Sequence, residues 1–127
     1  MQKLRQRLSS NEQGFTLIEL LVVIIILGIL LAIAIPSYLS FRDRANKSAA
    51  KANVRAAVPG MEAYNADHAT GYTGATLTKL QASYDAGIKN IKISVANSTT
   101  YCIVNTSPGT VFYHKSGPSG DIKSGSC

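Results

Sequence analysis

The amino-acid sequence predicts an α+β protein: a long, bent N-terminal helix, membrane-spanning in its first half, packs on a small C-terminal antiparallel sheet of about three strands. Residues 20–35 contain no charged side chain, which predicts an apolar helix. At 1.5 Å per residue, segment 15–39 would measure roughly 37 Å, more than the hydrocarbon core of about 30 Å. Alternating apolar and polar residues in the last third of the chain predict the strands.

One carboxylate, Glu19, lies near the start of the apolar run. An ionisable side chain at the bilayer centre costs about 2.5–3.5 kcal/mol, so Glu19 requires a partner, although the helix dipole lowers this cost near a helix N-terminus. If the chain were cut between Gly14 and Phe15, the new α-amino group would be the nearest cation. The preceding segment carries three basic residues, Lys3, Arg5 and Arg7, which predict that this end stays in the cytoplasm.

The segment Gly14-Phe15-Thr16-Leu17-Ile18-Glu19, followed by about twenty apolar residues, resembles the processing site of type IV pilins. The resemblance implies that a membrane peptidase cuts after Gly14 and methylates Phe15. It also implies that Glu19 directs assembly and that Pro36 kinks the helix. A protein of this kind is a structural filament subunit with no catalytic residues and no cofactor.

The predicted organisation follows from this resemblance. Residues 1–14 form a cleaved leader, 15–39 a transmembrane or filament-core helix, and 40–127 a soluble domain. The soluble domain consists of a helix continuation at 40–58, a connecting loop at 59–87, and an antiparallel sheet with a disulfide-closed tail at 88–127. Pro59-Gly60 predicts a break in the helix, since proline removes a backbone donor.

Two rows of residues are predicted on the continuing helix, one small and one apolar. The small row consists of Ala45, Ala49, Ala52 and Ala56. The apolar row consists of Val54, Val58 and Met61, and it is the predicted seat of the sheet. Further along, Thr76 predicts the cap of a short helical turn.

The last third predicts strands at 91–95, 101–105 and 110–114, separated by turns that include Pro108-Gly109. Ile91, Ile93 and Val95 are expected on the same face of the first strand. The two cysteines, Cys102 and Cys127, are an even count in a chain that carries export features, and this predicts a disulfide. Such a bond would tie the glycine- and serine-rich tail to the middle strand.

The chain carries a net charge of +6, and removal of residues 1–14, with three basic and one acidic side chain, leaves +4. Basic residues cluster directly after the apolar run, at Arg42, Arg44, Lys47, Lys51 and Arg55. This cluster indicates a solvated helix face; an inner filament lining and a nucleic-acid stripe are alternatives. The absence of interleaved aromatic residues argues against nucleic acid. His68 and His114 lack metal-ligand spacing, so no metal site is predicted.

Several alternatives remain. A pseudopilin of a type II secretion or competence system would share the N-terminus, but the major secretion pseudopilins have an acidic calcium site, and only Asp121 lies beyond Asp85 here. An ordinary secretory signal would be cut near Ala32-Ile33-Ala34. A plain membrane anchor and an anchored enzyme complete the set. The pilin hypothesis predicts four kinds of partner: related pilin subunits, the inner membrane, a prepilin peptidase and an assembly machinery.

Overall fold

The structure is a computed structural model that describes residues 14, 16–107 and 112–127. It divides into two units, the first ending at Ser40 and the second covering Phe41–Cys127. The predictions made for the leader 1–13, for Phe15 and for the turn at Pro108-Gly109 lie outside the described residues. Together the elements form an α+β fold, as predicted.

The first unit contains the start of helix α1, which spans Leu17–Asp67. Its large apolar side chains are all exposed; those of Leu17 and Leu21, for example, are 83% and 46% exposed. The helix is long and apolar enough to cross a membrane, judged by length and composition. Pro36 lies inside α1 without interrupting it, and the kink expected there stays a prediction.

Helix α1 continues into the second unit and ends nine residues later than predicted, at Asp67 rather than at residue 58. The expected break at Pro59-Gly60 is therefore wrong. Tertiary packing explains the difference, because Gly60 is buried and a Cβ added there would approach the Ile88 Cδ1 atom to 2.9 Å. The glycine that suggested a helix end instead allows a close contact with Ile88.

The second unit completes the fold with a short helix and four strands, one more strand than predicted. Helix α2 spans Leu77–Ser83, and the Thr76 hydroxyl caps it by accepting a 3.3 Å hydrogen bond from the Lys79 backbone N–H, as predicted. The strands are β1 (Ile91–Ala96), β2 (Tyr101–Asn105), β3 (Tyr113–Gly117) and β4 (Ile122–Ser124). They form one antiparallel sheet in the order β1-β2-β3-β4.

Strand β1 departs from simple alternation. Ile93 pairs with Ile103, but Val95 pairs with Cys102, so the register shifts by one residue between Ile93 and Val95. Such a bulge moves the following side chains to the opposite face. Val95 is consequently 46% exposed, and Ala96 takes the inward position opposite Tyr101. The expectation that Val95 shares a face with Ile91 is wrong for this reason.

The core of the second unit lies between one face of α1 and the sheet. Val54 and Met61 are fully buried and Val58 packs against them, so the predicted apolar row does seat the sheet. Sheet residues Tyr101 and Ile103 complete this core. The four members of the alanine row are exposed: Ala45, Ala49, Ala52 and Ala56.

The tail of the chain contributes β4 and the disulfide. Cys102 and Cys127 are bonded, which confirms the predicted pairing and ties the chain end to a central strand. Strand β3 begins at Tyr113 and runs to Gly117, later than the predicted 110–114, and β4 lies in the segment that was expected to have no strand.

Candidate assembly site at the start of the helix

Helix α1 begins with a reciprocal pair of hydrogen bonds between Thr16 and Glu19. The Thr16 hydroxyl oxygen accepts from the Glu19 backbone N–H at 3.3 Å, and the Glu19 carboxylate accepts from the Thr16 backbone N–H at 3.0 Å. The first N–H groups of a helix have no partner within the helix, and this arrangement, called a capping box, satisfies two of them. Glu19 therefore has a local structural role as well as a charge.

The electrostatics of this position favour an ionised carboxylate. Glu19 lies in the first turn of α1, where the helix dipole presents its positive end. Both Glu19 and Thr16 are exposed in the isolated chain, as are the leucine and isoleucine side chains that follow them. The site thus combines one anionic group with a continuous apolar surface that the subunit leaves uncovered.

The predicted site residues divide into those that the structure describes and those that it does not. Gly14, Glu19, Pro36 and the two cysteines are described, and the cysteines are joined. Phe15, the predicted new N-terminus, lies outside the described residues, so its pairing with Glu19 stays a prediction.

Sequence reasoning missed Thr16. The signal was available, because Thr16-Leu17-Ile18-Glu19 has the pattern of a hydroxyl residue followed three positions later by glutamate, just before an apolar run. This pattern gives Glu19 a partner within its own chain, whereas charge alone had pointed to the amine of Phe15.

Gly14 is exposed, and its surroundings do not demand a glycine. A Cβ atom added at Gly14 would meet no described atom within 4 Å. Gly28, inside α1, has equally open space around it. Nothing in the described part of the chain therefore explains either glycine by crowding.

Metal chemistry finds little support in the described part of the chain. Among residues 14, 16–107 and 112–127, no group of three or more histidine, cysteine, aspartate or glutamate side chains could hold a metal ion. The two histidines bind backbone carbonyls instead: His68 Nδ1 lies 2.9 Å from the Tyr64 oxygen and His114 Nδ1 lies 3.0 Å from the Gly125 oxygen.

Comparison with known proteins agrees with the geometry at the start of the helix. Residues 9–35 match the family described as the prokaryotic N-terminal methylation motif. The chain is also similar to PilA4, the major component of the type IV wide pilus of Thermus thermophilus. The two are 37% identical over 106 residues, which cover 81% of this chain and 80% of PilA4.

Two further relatives match over shorter stretches. The type IV major pilin PilA of Myxococcus xanthus is 50% identical over 50 residues, 39% of this chain and 23% of that protein. The type II secretion system core protein G of Pseudomonas aeruginosa is 40% identical over 58 residues, 46% of this chain and 41% of that protein. No solved structure matches the chain.

Proposed function

This chain belongs to the type IV pilin family, and on that premise we propose that it is the structural subunit of a type IV pilus. The observation that carries the proposal is the extent of the similarity to the Thermus wide-pilus component. It covers about four-fifths of both chains and therefore reaches well beyond the apolar helix into the second unit. The match to the secretion protein covers less than half of either chain, which favours a pilin over a pseudopilin.

We propose that the precursor is cut between Gly14 and Phe15 and that Phe15 is then methylated. The open space around Gly14 supports this, because a small residue that the fold does not need fits the requirement of a peptidase site. Mass spectrometry of the mature chain should find methylated Phe15 first. Gly14→Val should leave uncut precursor in the membrane, whereas Ser10→Val, a leader change of similar size, should be cut normally. A mature chain starting at Ile35 would instead support an ordinary secretory signal.

In this proposal α1 has two successive environments. It first anchors the subunit in the inner membrane, and then it enters the core of an extracellular filament. Both environments are apolar, so hydrophobicity alone gives the transfer no direction; helix packing and an assembly machinery powered elsewhere supply it. The filament would serve adhesion, motility or DNA uptake, and the subunit itself would perform no catalysis.

Glu19 gives the transfer its registration. We infer that its carboxylate meets the α-amino group of Phe15 from an adjacent copy, since a carboxylate in apolar surroundings requires a positive charge or a proton. The capping box supports this inference, because Thr16 holds the Glu19 carboxylate at the N-terminal end of α1, next to the position of Phe15 in the sequence.

The test compares variants of Glu19 by two measurements: surface filaments by electron microscopy, and the amount of processed subunit in the membrane. Glu19→Ala and Glu19→Gln should both abolish or sharply reduce filaments while processed subunit remains. Asp43→Asn, which removes a carboxylate elsewhere on the same helix, should leave filaments normal. Normal filaments in both Glu19 variants would show that this carboxylate does not direct assembly.

A further inference from the structure

Four basic side chains form a row along the part of α1 that belongs to the second unit. They are spaced by three, four and four residues, which places them on one face of the helix: Arg44, Lys47, Lys51 and Arg55. All four are exposed. We call them the basic row.

The fold of the second unit makes little use of the basic row. The sheet packs on a different face of α1, the one that carries Val54 and Met61. Within the row, Lys51 lies over the Tyr113 ring at 5.0 Å, and Lys51 and Arg55 border a cleft of about 520 Å³. Within the described residues, none of the four forms an ion pair with a carboxylate.

This arrangement has a cost in the isolated subunit. Like charges four residues apart on a helix destabilise it by about 0.2–0.5 kcal/mol per pair, and the row contains two such pairs, Lys47–Lys51 and Lys51–Arg55. An anionic partner outside the subunit would remove the repulsion. The basic row is therefore a surface that an acidic surface would stabilise.

An acidic surface is present elsewhere on the same unit. Asp67 is the last residue of α1, where the helix dipole presents its negative end, and the last turn contains no basic residue. The Tyr84 hydroxyl donates a 2.9 Å hydrogen bond to the Asp67 carboxylate, and the next residue, Asp85, is exposed and accepts from the Gly87 backbone N–H at 2.7 Å. Asp67 and Asp85, which we call the acidic end, carry negative charge that a cation would stabilise.

We propose that the basic row of one copy binds the acidic end of a second copy in the filament; this rests on the proposed pilin function. The two surfaces are different parts of one chain, so the contact is heterologous, and a heterologous contact that does not close into a ring generates an open filament. A second copy fits better than a nucleic acid, because the chain carries its own complementary charge and the row contains no aromatic residue.

Charge reversal tests this contact. Arg44→Glu with Lys47→Glu reverses half of the basic row, and Asp67→Lys with Asp85→Lys reverses the acidic end. Because opposed like charges at an interface are strongly unfavourable, each double variant alone should reduce filament mass about tenfold or more. Lys92→Glu with Lys123→Glu, a matched change of two exposed lysines on the sheet, should leave filaments within about twofold of the unmodified level.

The decisive measurement combines the two defective variants in one cell. A copy with a reversed basic row is complementary to a copy with a reversed acidic end, in both directions of contact. Co-expression should therefore restore filaments that contain both variants, and the chain with all four reversals should polymerise with itself. The processed subunit must remain in the membrane in every strain, which separates loss of the contact from loss of folding.

Carbodiimide treatment of intact wild-type filaments gives an independent readout, because it joins a lysine amine to a carboxylate in direct contact. Filaments assembled from a mixture of ¹⁴N- and ¹⁵N-labelled subunits should give mixed-isotope peptides that join Lys47 or Lys51 to Asp67 or Asp85. Normal filaments without these peptides and without rescue on co-expression would overturn the proposed contact but leave the pilin function intact. Absence of filaments from the wild type would overturn both.

Discussion

The disulfide between Cys102 and Cys127 should supply a large share of the stability of the second unit. The bond links positions 25 residues apart, and in the chain-entropy model a loop of this length contributes about 3.5 kcal/mol. At about 0.05–0.15 kcal/mol per residue, the second unit has a total stability of roughly 4–13 kcal/mol. Loss of the bond should therefore remove between about a quarter and most of that stability.

The position of the bond predicts which part of the fold is lost first. Strands β3 and β4 both lie inside the closed loop, and β4 has only three residues paired with β3. Replacing both cysteines by serine should expose β4 to protease while the cut at Gly14 proceeds normally. The assay is limited proteolysis of the membrane-bound subunit, together with its abundance and the number of filaments.

Two results would refute this reasoning. One is a pair of reactive thiols at Cys102 and Cys127 in the native exported protein, detected by alkylation before any reductant is added. The other is a double serine variant whose abundance and protease resistance equal those of the wild type. Ser119→Ala, an exposed substitution within the same loop, is the control and should change neither measurement.

Three further predictions test individual contacts. Thr16→Val removes the acceptor of the capping box at a cost of about 1 kcal/mol and should lower filament yield, whereas Thr16→Ser keeps the acceptor and should not; equal yields would contradict the capping role. Gly117→Ala places a Cβ 2.0 Å from the buried Tyr101 ring, so it should destabilise the second unit by about 1–3 kcal/mol or more in a denaturant melt. Burial, together with the hydrogen bond to Glu62, raises the pKa of Tyr72 from 10 to about 12, so between these values the folded protein holds a proton that the unfolded chain releases. Stability should be complete below pH 10 and fall as the pH rises to 12, and Tyr72→Phe should reduce this slope in alkaline unfolding; an unchanged slope would contradict it.

Local chemistry was sufficient to predict the start of the chain from its sequence. A long uninterrupted apolar run predicts a helix whatever it later contacts, and Glu19 within it identified the candidate assembly site. The capping box could have been predicted too, because Thr16 and Glu19 are only three residues apart. The disulfide was predictable because the chain has only two cysteines, so one intramolecular pairing exists.

Only the tertiary structure decided the course of the chain beyond residue 58. Pro59-Gly60 favours a helix end in any local reading, yet α1 continues because Met61 and Tyr64 are buried against the sheet side of the core. The register shift in β1 likewise depends on the partner strand, since it is β2 that accommodates the extra residue before Val95. Helix patterns and capping boxes are set by residues three or four positions apart, whereas the helix end, the bulge and β4 are set by residues distant in sequence that meet only when the sheet closes on α1.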